Sequence, residues 1–132
     1  MYDREVYHFL FLHFPIALFI TGFFFHILLI FLDKIEFEQY MLWTMGMGIL
    51  WSLLSIITGY IAAIEMDYIS SFSGILQKEH SYIMISATVL FSVTFILISR
   101  KKNIKILLLI HSLAIILLAY GTHLGAKWAE RI

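Results

Sequence analysis

The chain has 132 residues, of which 61% are apolar and only 14% are charged, and its mean hydropathy is +0.91. Soluble domains are roughly 45–50% apolar and about 25% charged, so the composition indicates a multi-pass membrane protein in contact with the lipid bilayer. The formal net charge of zero argues against a nucleic-acid partner. Because the sequence contains no cysteine, disulfides, Fe–S clusters, thiolate zinc sites and covalently attached haem are excluded.

Four segments are apolar enough to cross a membrane as helices, which takes about 20 residues each. They cover approximately 9–32, 41–64, 81–99 and 104–126, with polar breaks between them. These runs lack the alternation of barrel strands, and lipid admits no open sheet. The predicted fold class is therefore all-α. We expect a single domain over 1–132, a four-helix transmembrane bundle in up-down-up-down order with both termini on one side.

The positions of lysine and arginine indicate how the bundle is oriented. Five of the nine basic residues fall in or beside the first and third loops, and four of those five lie between positions 100 and 105. Because basic residues concentrate on the cytoplasmic side, we expect the third loop in the cytoplasm and both termini outside. The N-terminal region has neither a basic n-region nor a small-residue cleavage site, so we expect the first span to be kept.

Histidine is the unexpected residue type in so apolar a chain. There are six: His8, His13, His26, His80, His111 and His123. Ionisable side chains inside a membrane are costly and mark functional sites by default. Their depths follow from the helical rise of about 1.5 Å per residue, which separates His13 from His26 by about 20 Å and His111 from His123 by about 18 Å.

Two histidine layers are predicted from these depths. The outer layer holds His13, His80 and His123, with His8 above it, and the inner layer holds His26 and His111. Neutral imidazole is the commonest metal ligand, and haem iron takes axial ligands from facing helices. We therefore expect the five histidines of the two layers to be candidate ligands of a metal or of one or two haem b groups. Such a protein would pass electrons between a quinone or membrane partner and an outer-side redox protein.

Glycines on two of the spans offer room for a close neighbour. Gly59 belongs to a face of the second span that carries small residues at helical spacing, namely Gly48, Ser52, Ser55, Gly59 and Ala63. Gly121 lies two residues before His123. Such faces admit either a flat macrocycle, which makes Gly59 and Gly121 candidate cofactor-binding residues, or another helix.

One geometric point conflicts with two stacked haems. At about 100° per residue, the 13 steps between His13 and His26 rotate by about 220°, and the 12 steps between His111 and His123 by about 120°. The two histidines of one helix therefore do not share a face, unless Pro15 kinks the first helix. The number of haems stays open at this point.

The run His13-Phe14-Pro15-Ile16-Ala17-Leu18 resembles the opening signature of the bacterial membrane family called domain of unknown function 2231. Further matches are Thr58-Gly59 followed by Glu65 or Asp67, His80 at the start of the third span, and Gly121 to Ala126. The chain departs from the family at Gly125-Ala126, where two glycines are usual, and at its end, where a His-Gly pair is usual. The resemblance implies a four-helix protein of the bacterial inner membrane, related to electron-transfer proteins joined to cytochrome c domains. The motifs that resemble the family include three of the histidines, namely His13, His80 and His123.

Three functions remain open on the sequence alone. The first is a small b-type cytochrome subunit. The second is a non-haem metal or proton-handling protein, in which His13, His80, His123 and a carboxylate such as Glu65 form one outer site. The third is a cofactor-free structural subunit with paired histidines. Because the loops are short, we expect an electron carrier, a homo-oligomer or a subunit of a larger oxidoreductase complex rather than an enzyme acting alone.

Overall fold

The computed structural model describes residues 4–65 and 78–129. These residues form four helices and no strand: α1 (Arg4–Leu32), α2 (Ile35–Glu65), α3 (Glu79–Ser99) and α4 (Ile104–Ala129). Each helix is long and apolar enough to cross a membrane. The predicted all-α class with four membrane-spanning helices is confirmed.

The helices are longer than the predicted apolar spans. α2 begins at Ile35, six residues before the predicted span, and it carries Glu36 and Glu38 in its first turn, where acidic side chains interact favourably with the helix dipole. α1 is continuous through Pro15. The helices extend beyond the predicted spans because hydropathy marks only the part of a helix that lies in lipid. Backbone hydrogen bonding continues into the membrane interface.

The contacts between helices fix their relative directions. Gly22 of α1 faces Met45 of α2, and His8 faces Gly59, so residue numbers rise along one helix as they fall along the other. The same reversed order holds between α3 and α4, where the contacts are Met84 with Gly121 and His80 with Gly125. The two hairpins α1–α2 and α3–α4 are therefore each antiparallel, which fits the predicted up-down-up-down order.

The centre of the bundle is a pair of stacked phenylalanines. Phe19 of α1 and Phe91 of α3 are fully buried, and their ring centroids are 3.7 Å apart at an interplanar angle of 3°. Phe19 packs on Gly48 of α2, where an added Cβ would lie 2.8 Å from the ring. The small-residue face of α2 thus admits side chains of α1.

Hydroxyl groups in the core donate hydrogen bonds within their own helices. Ser52, Ser55, Thr88 and Thr94 are buried, and each donates a hydrogen bond to a carbonyl three or four residues earlier. This is the usual way to satisfy a hydroxyl in an apolar helix. Large apolar side chains instead cover the outside, with Phe31 79%, Trp43 74% and Leu109 72% exposed, as expected for a surface that faces lipid.

Candidate functional site

The inner pair consists of His26 on α1 and His111 on α4, and both rings are fully buried. The Nδ1 atoms of the two rings are 2.9 Å apart, which is hydrogen-bond distance. The Nε2 atom of His26 lies 2.9 Å from the carbonyl oxygen of Ile104, at the start of α4. The structure therefore brings together the two histidines that the depth calculation places in one layer.

When both rings are neutral, these contacts determine which nitrogen of each ring carries the proton. A carbonyl oxygen only accepts, so His26 Nε2 carries a proton and donates it to Ile104. His26 Nδ1 is then an acceptor, and His111 Nδ1 must donate to it. It follows that His111 Nε2 carries a lone pair and no proton.

The lone pair on His111 Nε2 lies in an apolar enclosure. Among the residues that the structure describes, this buried nitrogen has no hydrogen-bond partner. Phe23 and Phe91 contact the His111 ring edge to face, with centroids 5.2 and 5.5 Å from it. An unsatisfied buried polar atom is costly, so this nitrogen is the position in the inner pair where a further hydrogen-bond donor would be accepted.

A polar cavity of about 420 Å³ lies next to the inner pair, between the two short loops. We call it the loop-end cavity; its charged lining is Asp33, Glu38, Lys101, Lys102 and Lys105. Its apolar lining includes Leu29 and Ile30, one turn beyond His26 on α1, and Ile104. Because Ile104 also accepts the hydrogen bond from His26, the inner pair lies one turn from a polar opening.

The outer pair consists of His8 on α1 and His80 on α3, at the opposite end of the bundle. The His80 Nδ1–H donates to the Gly121 carbonyl oxygen at 2.7 Å, and the ring packs on Gly125. The His8 ring packs on Gly59. Both rings are half-buried, and each lies where a glycine leaves room for it.

Burial lowers the pKa of His8 below its ordinary value of 6.5, and the charge of His80 lowers that pKa further. A hydrogen bond to the Ser55 backbone acts in the opposite direction. The His8 Nδ1 atom also lies 3.4 Å from the Thr58 hydroxyl oxygen. The outer pair is therefore built for a neutral His8 at neutral pH.

Two members of the predicted outer layer do not face the interior of the bundle. His13 and His123 are exposed on the surface of the bundle, and His8 occupies the inward position beside His80. Within residues 4–65 and 78–129, no three histidine or acidic side chains are grouped so that they could hold a metal ion. Glu65 is exposed at the end of α2, and Asp67 lies outside the described residues.

The glycines proposed to bind a cofactor accommodate side chains of this protein. An added Cβ at Gly59 would lie 2.9 Å from His8 Cε1, and one at Gly121 would lie 2.6 Å from the sulfur of Met84. Both positions thus serve helix packing in this structure. Their role toward a cofactor, and the ligand roles of the histidines, stay predictions.

One sequence signal identifies His8 in place of His13. His8 and His26 are 18 residues apart, which is five full helical turns, so they share a face. The buried positions of α1 continue that face: Pro15, Phe19, Gly22, His26 and Leu29. His13 is rotated from His8 by about 140° and therefore points away from the core.

The sequence matches a known protein family. The family described as a predicted membrane protein, DUF2231, matches residues 6–132, nearly the whole chain. No curated protein and no solved structure matches the sequence. Because the match extends over nearly the whole chain, the chain belongs to the DUF2231 family of membrane proteins.

Proposed function

We propose that this membrane protein handles protons and that His26 and His111 are its proton relay. The observation that carries the proposal is one continuous line of nitrogen atoms. It runs from His111 Nε2 through the two Nδ1 atoms to His26 Nε2, which lies against Ile104 at the loop-end cavity. Histidine suits this task because its two nitrogens can take up a proton on one side and release one on the other.

A proton crosses the relay in balanced steps. It adds to the lone pair of His111 Nε2, and the resulting imidazolium passes its Nδ1 proton to His26 Nδ1. His26 then releases its Nε2 proton toward the loop-end cavity. One proton enters and one leaves, and the Nδ1···Nδ1 hydrogen bond ends with its polarity reversed. Resetting the relay requires both rings to return to their first tautomers.

The phenylalanine stack separates this relay from the outer pair. Along α1, Phe19 lies between His8 and His26, and Phe91 contacts both Phe19 and His111. Apolar constrictions gate membrane pathways by excluding water. Proton movement through the whole bundle therefore requires the stack to open, and the outer pair is the first group of proton acceptors beyond it.

Proton flux into vesicles tests the proposal. The purified protein is reconstituted into vesicles that contain a pH-sensitive dye, and a potassium diffusion potential drives protons inward. We expect acidification above that of empty vesicles and its loss in His26→Phe and His111→Phe. The matched controls His13→Phe and His123→Phe change exposed histidines of the same two helices and should keep the flux. Flux that persists without the inner pair, or that never exceeds the empty-vesicle rate, contradicts the proposal.

A haem b electron carrier is the second candidate, and the outer pair favours it. Ligating histidines commonly donate their other ring N–H to a backbone carbonyl, as His80 does to Gly121, which leaves Nε2 for the iron. His8, on a second helix, would be the other histidine of the outer pair to hold the group. Haem b, when bound there, would supply one-electron chemistry.

The inner pair does not fit a haem as it stands. Axial imidazoles hold opposite faces of a macrocycle, whereas the rings of His26 and His111 are in direct hydrogen-bond contact at 2.9 Å.

An absorption spectrum of protein purified from its native membrane separates the candidates. A Soret band that His80→Ala removes and His111→Ala keeps would support haem at the outer pair. Protein without a Soret band would contradict it.

Orientation and partners belong to the same proposal. The basic residues beside the loop-end cavity support a cytoplasmic loop end in the bacterial inner membrane, with both termini in the periplasm. An electron carrier of this size would exchange electrons with a quinone or with a redox protein on the outer side. Homo-oligomers or a larger membrane complex would supply the surface that its short loops lack.

A further inference from the structure

We propose that the loop-end cavity binds the phosphate-bearing head group of an anionic phospholipid. The cavity combines two linings, as an amphiphile requires. Lys101, Lys102 and Lys105 line its polar part, and Leu29, Ile30 and Ile98 are among the apolar residues of its wall. It lies where the membrane spans end, at Leu32, Ser99 and Ile104, which is the depth of lipid head groups. Its volume of about 420 Å³ is large compared with a phosphate group.

The charges of the lining favour an anion. The Lys101 ammonium lies 3.8 Å from Glu38, so these two groups largely neutralise each other. The remaining charges of the lining are two positive ones, on Lys102 and Lys105, and one negative one, on Asp33. Basic pockets of this kind between transmembrane helices are typical binding sites for anionic head groups.

The backbone at two helix ends shapes the wall of the cavity. Asp33 and Lys101 have φ values of 49° and 56°, in the left-handed region that favours glycine. Both follow the ends of helices, where glycine or asparagine is usual, and both line the same cavity. The Lys102 N–H donates to the Leu97 carbonyl oxygen across this turn, so the left-handed residue ends α3 and leaves Lys101 and Lys102 at the cavity.

Titration with a short-chain phosphatidylglycerol in detergent tests the inference. Lys102→Gln combined with Lys105→Gln should weaken binding at least about tenfold, since each lysine near a membrane surface contributes about fivefold. The control combines Lys34→Gln with Arg100→Gln, which removes the same charge at the same end of the bundle from residues outside the cavity lining. We expect that control to bind within about twofold of the original chain.

Three outcomes would overturn the inference. The first is that both double variants weaken lipid binding equally, which would mean that the lipid is attracted to the basic end of the bundle as a whole. The second is equally tight binding of short-chain phosphatidylcholine, which means an apolar site. The third is inorganic phosphate competing as well as the lipid, which means a free-anion site. Glu38→Gln, which releases Lys101, should tighten binding. Proton flux is not needed for this test, so its result is distinct from that of the relay.

Discussion

The two histidine pairs use the same residue type in opposite surroundings. The inner pair is fully buried, its rings contact each other, and one nitrogen has no partner among the described residues. The outer pair is half-buried, and its rings rest on glycines and bond to a carbonyl and a hydroxyl of neighbouring helices. The inner pair is thus held by its own hydrogen bond, and the outer pair by the helices around it.

This difference is the basis of the two chemistries that we propose for the two ends. A directly bonded pair with one free lone pair is arranged to pass a proton. In the outer pair, the Nδ1 atom of His80 donates to the Gly121 carbonyl oxygen, which leaves the other ring nitrogen of His80 for the proposed iron ligation. Substitutions that affect one pair and spare the other test this comparison.

The largest effect is expected at the centre of the inner pair. His111→Ala removes a fully buried ring and the partner of His26, so we expect the free energy of unfolding to fall by about 2–4 kcal/mol. His123→Ala, on the exposed side of the same helix, should change it by less than about 0.5 kcal/mol. Reversible unfolding in mixed micelles measures both. Similar losses for the two variants would show that His111 is not specially placed.

A smaller effect is expected where the outer pair rests on glycine. An alanine Cβ at Gly125 would lie 2.7 Å from His80 Cε1, so Gly125→Ala should displace the ring from Gly121 and cost about 1–2 kcal/mol. Gly46→Ala is the matched control, because its Cβ would meet Phe95 at an ordinary 3.5 Å. The same unfolding assay compares them. A Gly125→Ala variant as stable as Gly46→Ala would mean that the ring does not need the glycine.

The smallest effect is a dependence of stability on pH. Because the pKa of His8 in the fold is below 6.5, the unfolded chain binds more protons there as the pH drops. Stability should therefore decrease as the pH falls through 6.5, and His8→Gln should flatten that decrease. Unfolding at a series of pH values measures the slope. An unchanged slope in the variant would place His8 outside the outer pair.

Much of the fold was predictable because it depends on one quantity. Hydropathy summed over a window marks a membrane span however the helix is rotated, and the four spans follow directly. The positions of the helix ends were not predictable in the same way. Ile35 and Glu36 are helical although they precede the apolar run, since backbone hydrogen bonds and charge at the first turn decide where α2 begins.

The site was half predictable for a related reason. Residue number fixes depth along a helix, so His26 and His111 could be placed in one layer. Depth does not fix rotation, and His8 and His13 differ mainly in rotation. The heptad-like spacing from His8 to Leu29 carried that information. The direct Nδ1 contact and the carbonyl of Ile104 were beyond the sequence, because they depend on how two hairpins meet.

Nitrogen-15 NMR of the histidine rings, in protein reconstituted at neutral pH, tests the relay most directly. We predict His26 protonated at Nε2 and His111 protonated at Nδ1, with scalar coupling between the two Nδ1 nitrogens across their hydrogen bond. The control variant His123→Phe should leave these signals in place. If His111 carries its proton on Nε2, or if no coupling joins the two rings, the proton relay as described here is contradicted.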